Sequence, residues 1–163
     1  MWKYRELDAY QSISLHDCKV NRIEVDDDDL IFHFYDGFWI TPVSQYIDHD
    51  RPMKTGPSCV RFYGFQGWNP VEMMDVDVFK SIYLFRRRIL CRRVQPESQV
   101  FLDMINSGSH ELEFLYEFHS GIGSFYKCWL WKSNRGMDSE CHLEINSSHI
   151  EYCWNEIFSD RVW

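Results

Sequence analysis

Residues 112–154 read LEFLYEFHSGIGSFYKCWLWKSNRGMDSECHLEINSSHIEYCW. Within this segment, apolar and polar side chains alternate in four runs, which short clusters of Gly, Ser and Asn separate. Such a pattern is typical of strands joined by turns. The runs cover residues 112–118, 125–131, 140–146 and 149–154. Because each connection is short, we expect consecutive strands to pair as a four-stranded antiparallel meander.

Alternation divides the side chains of these runs between two faces. One face is almost wholly apolar and is expected to line the core; it comprises Leu112, Phe114, Tyr116, Phe118, Cys141, Leu143, Ile145, Ile150, Tyr152 and Trp154. The opposite face comprises Glu113, Glu117, His119, Glu140, His142, Glu144, His149, Glu151 and Cys153. The second run fits either orientation; with Tyr126 inward, Trp129 and Trp131 join the carboxylate-rich face.

A hairpin is predicted nearer the N-terminus. Residues 18–25 and 30–35 alternate on either side of the four aspartates at 26–29, which suit a turn. Pairing the two arms places an apolar set on one face, namely Ile23, Val25, Leu30, Phe32 and Phe34. The other face carries Arg22, Glu24, Ile31, His33 and Tyr35, with Cys18 further along. Asp36-Gly37 then predicts another turn and a third strand at residues 38–41.

The remaining segments complete a β-dominated α+β prediction. Residues 98–106 form an apolar stripe through Val100, Phe101, Met104 and Ile105, and they predict a short helix that Ser98 caps and Gly108 ends. Residues 76–94 favour two strands with a turn near residues 86–88, and residues 3–12 suggest a second short helix. We expect a single domain over residues 1–163, built from antiparallel sheets with one or two short helices.

Composition restricts the class of partner. Aromatic residues make up 17% of the chain and Ala9 is its only alanine, so a folded, strand-rich protein is indicated. Seventeen basic against twenty-five acidic residues give a net charge of -8, which disfavours nucleic acid and anionic membranes. Five arginines lie between residues 86 and 93, but no aromatic stacking platform accompanies them, so internal pairing or solvation is the favoured interpretation.

The N-terminal sequence predicts a cytoplasmic protein. Charged residues interrupt the first eight positions, where a signal peptide needs an apolar run, and no segment is apolar for long enough to span a bilayer. Six cysteines are present without a C-x-x-C pair, so we expect reduced thiols. No cofactor is expected.

The favoured functional hypothesis is a non-enzymatic binding protein. Large aromatic side chains on a sheet face often mark a contact site, and acidic groups around indoles suit a basic protein partner. The expected binding residues are Glu113, Glu117, Trp129, Trp131, His142, Glu144, His149 and Glu151. Alternatively, a helix or a second sheet covers the tryptophans, or they are buried between copies of the chain in a homo-oligomer.

The alternative hypothesis is a small enzyme. His16 and Cys18 share one face of a strand, so the imidazole could activate the thiol, and Arg22 and His33 could hold an anion nearby. A second possibility is that two His-x-Glu pairs, at residues 142–144 and 149–151, converge on adjacent strands as metal ligands. Structural roles for both groups are the favoured interpretation, and no metal is expected.

Several short phrases resemble a group of small, uncharacterised bacterial proteins. They are LHDCKV at residues 15–20, MINSG at 104–108, LEFLYE at 112–117, CWLW at 128–131 and EYCWN at 151–155. This resemblance implies no established activity. In size, acidity and strand content the chain is also similar to immunity proteins of bacterial toxin systems, which bind and block a toxin; that similarity implies a binding function.

Overall fold

Antiparallel strands form most of the computed structural model, which describes residues 1–48, 50–84, 87–133 and 136–162. The strands are β1 (Tyr4–Leu7), β2 (Ile13–Ser14), β3 (Cys18–Asp26), β4 (Asp29–Phe34), β5 (Trp39–Ile40), β6 (Met53–Thr55), β7 (Ser58–Tyr63), β8 (Met74–Leu84), β9 (Arg87–Val94), β10 (His110–His119), β11 (Ser124–Lys132), β12 (Gly136–Ile145), β13 (His149–Trp154) and β14 (Ile157–Val162). A 3-10 turn (Pro70–Met73) and the helix α1 (Ser98–Asn106) complete the described elements. The β-dominated α+β class is confirmed.

The strands pair in two sheets. The large sheet has the order β1-β13-β7-β4-β3-β10-β11-β12-β8-β9, and the small sheet has the order β14-β6-β5-β2. Both sheets contribute to one cluster of buried apolar side chains. No described helix is long and apolar enough to cross a bilayer.

The N-terminal hairpin is β3–β4, and its predicted register is confirmed. Val25 is opposite Leu30 and Ile23 is opposite Phe32. The placement of Cys18 on the outer face is wrong, because the register shifts between Val20 and Arg22. A bulge there adds one residue and reverses the alternation, so Cys18 points into the core.

The predicted four-stranded meander is correct for three strands. β10, β11 and β12 pair consecutively, whereas β13 pairs with β7 and β1 at the other side of the sheet. In a flat sheet, the six inter-strand steps from β12 to β13 would span roughly 29 Å, but the connection through residues 146–148 reaches only about 14 Å. The sheet is therefore strongly curled. Phe62 on β7 accordingly contacts Tyr126 on β11 across the interior, with ring centroids 6.1 Å apart.

Helix α1 packs against β3, β10 and β8. Its buried residues are Phe101, Leu102 and Ile105. Val100, which was predicted to lie on the apolar stripe of the helix, is exposed. The Ser98 hydroxyl donates to the carbonyl of Met74, so the predicted cap is wrong. β8 and β9 confirm the predicted strand pair, but residues 85 and 86 of its turn lie outside the described residues.

Two N-terminal predictions are corrected. The short helix expected at residues 3–12 is absent; residues 4–7 form strand β1, because pairing with β13 satisfies their backbone groups. The strand expected after Asp36-Gly37 exists as β5, but it pairs with β2 and β6 in the small sheet and not with β4. The chain passes from the large sheet to the small sheet at Gly37.

Candidate functional site

A second bulge, in β10, determines which aromatic side chains reach solvent. The β10–β11 register shifts between Phe114 and Tyr116. Phe114 remains in the core, but Tyr116 and Phe118, which alternation places inward, are 59% and 61% exposed. The bulge correspondingly turns Glu117 toward the interior, where its carboxylate accepts the N–H of Leu15 at 3.1 Å.

The outward side chains of β10, β11, β12 and β8 form three rows, which we call the acidic–aromatic face. The first row is Phe118, Phe125, Glu144 and Asp75; the second is Tyr116, Lys127, His142 and Asp77; the third is Glu113, Trp129, Glu140 and Phe79. Five of the expected binding residues lie on or beside this face, namely Glu113, Trp129, Trp131, His142 and Glu144. The described helix packs on the core side and not on this face.

The tryptophan end of the face is held by contacts within the chain. Trp131 donates its indole N–H to the carboxylate of Glu113. The Lys19 ammonium lies 5.1 Å from the centroid of the Trp131 ring and 3.7 Å from the Glu111 carboxylate. Trp129 and Trp131 are half-buried. This end of the face is therefore already occupied by internal partners.

The middle of the face carries a compact charged group. Lys127 and His142 approach the same Glu140 oxygen at 3.0 Å and 3.1 Å. Burial raises the pKa of Glu140. The hydrogen bonds from Lys127 and His142 lower it by more than burial raises it, so the net shift of the pKa is downward. The His142 ring also contacts Phe79 and Phe125, at centroid distances of 4.6 Å and 5.2 Å.

The opposite end of the face combines exposed rings with unbalanced carboxylates. Asp75 and Glu144 are direct cross-strand partners, both are exposed, and among the described residues neither forms a salt bridge. Like charges at such positions destabilise a sheet. A pocket of about 250 Å³ is lined by Asp75, Asp77, Arg93, Gln95, Phe125, His142 and Glu144. The Arg93 guanidinium forms a salt bridge with Asp77 at 2.6 Å. The carboxylates of Asp75 and Glu144 are therefore left to bind a cation beside the Phe125 ring.

The remaining expected binding residues lie elsewhere. His149 binds Asp8 at 2.8 Å, and Glu151 accepts from Arg5 at 2.6 Å and Tyr63 at 3.0 Å. The proposed convergence of His142, Glu144, His149 and Glu151 is wrong, because β12 and β13 are not neighbours. No cluster of three potential metal ligands exists in the described part of the chain.

The alternative Cys/His site is dispersed. His16 contacts the carbonyl of Leu115, and the Cys18 thiol donates to the carbonyl of His16 at 3.4 Å, so imidazole and sulfur do not meet in these contacts. Burial raises the pKa of Cys18 to about 11, although the Lys54 ammonium 3.2 Å from the sulfur acts in the opposite direction. Arg22 and His33 lie on the outer face, where both bind Glu24.

A cleft that the sequence did not reveal contains a hydrogen-bonded serine and histidine. It has a volume of about 480 Å³ and is lined in part by Asp8, Tyr10, His119, Ser124 and His149. The Ser124 hydroxyl lies 2.7 Å from Nδ1 of His119, whose Nε2 lies 3.4 Å from the Glu117 carboxylate. The Tyr10 ring stacks on the His119 ring, with centroids 4.1 Å apart. The β10 bulge creates this group, because it turns Glu117 and His119 inward.

No family model matches the chain, and no curated protein or solved structure shows significant similarity to it. Sequence reasoning missed the exposure of Tyr116 and Phe118 and the carboxylates of Asp75 and Asp77. One signal was available: Leu115 is an apolar residue in a polar position of the alternation, directly after Phe114. Leu115 is also the residue without a partner in the β10–β11 register, so it is the extra residue of the bulge.

Proposed function

We propose that this chain is a cytoplasmic binding protein and that its acidic–aromatic face docks a basic protein partner. The observation that carries the proposal is the first row of the face, where two exposed phenylalanines, Phe118 and Phe125, adjoin the carboxylates of Glu144 and Asp75, which form no salt bridge within the described part of the chain. Exposed rings and opposed like charges both cost free energy in the isolated protein, so a partner that covers them gains that energy on binding.

The chemistry of the pocket favours a lysine or arginine side chain of the partner. Asp75 and Glu144 supply two carboxylates, and Phe125 supplies a ring face beside them. A cation there separates the two like charges and contacts the aromatic ring. The exposed rings of Tyr116 and Phe118 then supply apolar contact area next to this anchor.

The charge of the whole chain supports the same partner class. A net charge of -8 attracts a basic protein over a distance of about 10 Å at ordinary ionic strength and accelerates encounter. An acidic protein that covers a basic toxin would have this property, so an antidote role of the immunity type is one form of the proposal.

Photo-crosslinking in the source cell tests the proposal. The photoreactive amino acid p-benzoylphenylalanine replaces Phe118, and a matched variant carries it at Tyr35, another exposed aromatic position outside the acidic–aromatic face. We expect a covalent adduct with one basic protein from position 118 only. Adding Asp75→Asn and Glu144→Gln should reduce the adduct yield about tenfold, because the cation anchor is lost.

Other results of this experiment would contradict the proposal. An adduct of equal yield from position 35 would show unspecific contact, and an adduct that survives the two neutralising substitutions would remove the role of the pocket. A covalent dimer of the chain with itself would identify the face as a homo-oligomer interface and exclude a separate basic partner there.

The cleft supports a second function, and we propose that Ser124 acts there as a nucleophile toward small activated esters. With its proton on Nε2 directed at Glu117, His119 presents the Nδ1 lone pair to the Ser124 hydroxyl. In this arrangement the imidazole can accept the serine proton while the carboxylate stabilises the resulting charge. The observation that favours this function is that Ser124, His119 and Glu117 are connected by consecutive polar contacts of 2.7 Å and 3.4 Å, and that Ser124 and His119 line the cleft.

A fluorophosphonate reagent tests the second function directly. We expect one phosphonyl adduct per chain, located by peptide mass spectrometry at Ser124, and a rate at least about a hundredfold lower in His119→Gln. Ser120→Ala is the matched control, because Ser120 lines the same cleft but is not one of the three residues in the Ser124–His119–Glu117 contacts. Absence of an adduct, or an adduct that persists in Ser124→Ala, would overturn the assignment.

A further inference from the structure

Two cysteines oppose each other on the outer side of the large sheet. Cys59 on β7 and Cys153 on β13 are direct cross-strand partners, and they are only 4% and 2% exposed. With Ile31 they form a small buried cluster that is separate from the main core and packs against Trp2. We propose that Cys59 and Cys153 form a redox-active dithiol, which a hydroperoxide oxidises to an intramolecular disulfide.

The strand geometry permits this bond. Direct partners in an antiparallel pair have Cα atoms about 4.5 or 5.5 Å apart, and both separations lie within the range of disulfides. Their Cβ atoms are about 4.5–5.5 Å apart before oxidation, whereas a disulfide prefers about 3.5–4.5 Å. The strands must therefore approach slightly, and such a bond is readily reduced again by thiols.

The surroundings give the two sulfurs different roles. A hydrogen bond from the Cys59 thiol lowers the pKa of Cys153, and the guanidinium of Arg5, its cross-strand partner on β1, contributes in the same direction. Burial and the Glu151 carboxylate oppose this shift without cancelling it. The same hydrogen bond and burial raise the pKa of Cys59. Cys153, which has Arg5 opposite it on β1, is therefore assigned as the attacking sulfur, and Cys59 as the resolving sulfur.

The reaction balances with one hydroperoxide per dithiol. The Cys153 thiolate attacks the terminal peroxide oxygen, the O–O bond breaks, and Cys153 becomes a sulfenic acid while hydroxide or an alkoxide leaves. The Cys59 sulfur then attacks the Cys153 sulfur, the S–S bond forms, and the sulfenic oxygen leaves as water. In total, two thiols lose two electrons and two protons, and with hydrogen peroxide two water molecules form.

The chain contains a matched pair with different surroundings. Cys128 on β11 and Cys141 on β12 are also direct cross-strand partners, but both side chains belong to the main core. Burial raises the pKa of Cys128 well above its ordinary value and that of Cys141 to about 12. Among the residues that the structure describes, no guanidinium influences the pKa of either thiol, and we expect both to remain reduced.

Access to the dithiol is controlled by the N-terminal segment. Trp2 precedes β1, a four-residue strand at the edge of the large sheet. Short edge strands open locally at low free-energy cost, so peroxide can reach the sulfurs when Trp2 moves away. Removing this indole should therefore raise the oxidation rate of the Cys59–Cys153 pair. If the pair reacted only after global unfolding, removing the indole would leave that rate unchanged.

The test uses the full chain with the exposed Cys91 replaced by serine. After treatment with hydrogen peroxide, we expect a mass loss of about 2 Da and a Cys59–Cys153 linked peptide, which dithiothreitol reverses. In Cys59→Ser, dimedone should trap a sulfenic acid at Cys153, whereas in Cys153→Ser residue 59 should remain a thiol. Trp2→Ala should raise the oxidation rate about tenfold.

Three outcomes would overturn the proposal. The first is the absence of the linked peptide in the folded Cys91→Ser chain. The second is equal formation of a Cys128–Cys141 link, which would show that opposition across strands is sufficient and that the surroundings of Cys153 have no role. The third is equal trapping in the two single serine variants, which would contradict the assignment of Cys153 as the attacking sulfur.

Discussion

Phe114→Ala should lower the free energy of unfolding by about 3–5 kcal/mol. Phe114 is fully buried, and its ring contacts Phe34 and Tyr126 at centroid distances of 5.7 Å and 4.8 Å, besides Phe32 at 6.3 Å. Truncation therefore leaves a cavity at the centre of the curled sheet. Urea denaturation followed by fluorescence measures the loss. If the alanine variant does not fold, Phe114→Leu should still fold with a smaller loss.

Phe118→Ala is the matched control, since simple alternation places it on the same face as Phe114. The bulge reverses this relation and leaves Phe118 exposed. We expect its substitution to change the free energy of unfolding by less than about 1 kcal/mol. Equal losses of unfolding free energy in Phe114→Ala and Phe118→Ala would contradict the bulge. They would also contradict the position of the residues near Phe118 on the acidic–aromatic face.

Gly37→Ala should be similarly damaging, with a loss of more than about 3 kcal/mol. Gly37 has a φ of +72°, and an added Cβ would lie under 3.0 Å from Thr55 and from the carbonyl oxygen of Gly56. Thr55 cannot withdraw easily, because its backbone N–H and its side-chain oxygen both hydrogen-bond to Phe38. The substitution must displace backbone at the junction of the two sheets.

The loss expected at Gly37 has two causes, the strain of a positive φ and the steric overlap of the added Cβ. Gly108→Ala measures the first cause alone. Gly108 has nearly the same φ, +69°, but an added Cβ would meet no atom within 4 Å. Only the conformational strain of a positive φ applies there, so we expect a loss of about 1–2 kcal/mol. Thermal or chemical denaturation of both variants provides the comparison. A loss at Gly37 no larger than the loss at Gly108 would show that the close approach to Thr55 does not restrict residue 37.

Local patterns predicted the strands well, because alternation and turn residues are properties of neighbouring positions. The register of β3–β4 and the range of α1 follow directly from them. The pairing of β13 with β7 and β1 does not follow from local patterns. A short connection between β12 and β13 indicates that the two strands are neighbours only if the sheet is flat. Curling depends on packing between residues distant in sequence, such as Phe62 and Tyr126.

The candidate site was predicted less completely than the fold. Glu113, Trp129 and Glu144 lie on one face, as alternation indicates, but two single-residue bulges reversed the sides of Cys18, Tyr116 and Glu117. A bulge moves every later side chain of its strand to the opposite face, so one missed residue changes the whole assignment. The acidic pair also depends on β8 joining β12, which no local pattern indicates.

The affinity of the crosslinked partner, measured by titration calorimetry, tests the docking proposal quantitatively. Asp75→Asn with Glu144→Gln should weaken binding about tenfold to a hundredfold. Asp27→Asn with Asp28→Asn removes the same two charges at the exposed β3–β4 turn and should change the affinity less than about twofold. Equal weakening by both double variants would show that only net charge matters and would contradict a specific cation site on the acidic–aromatic face.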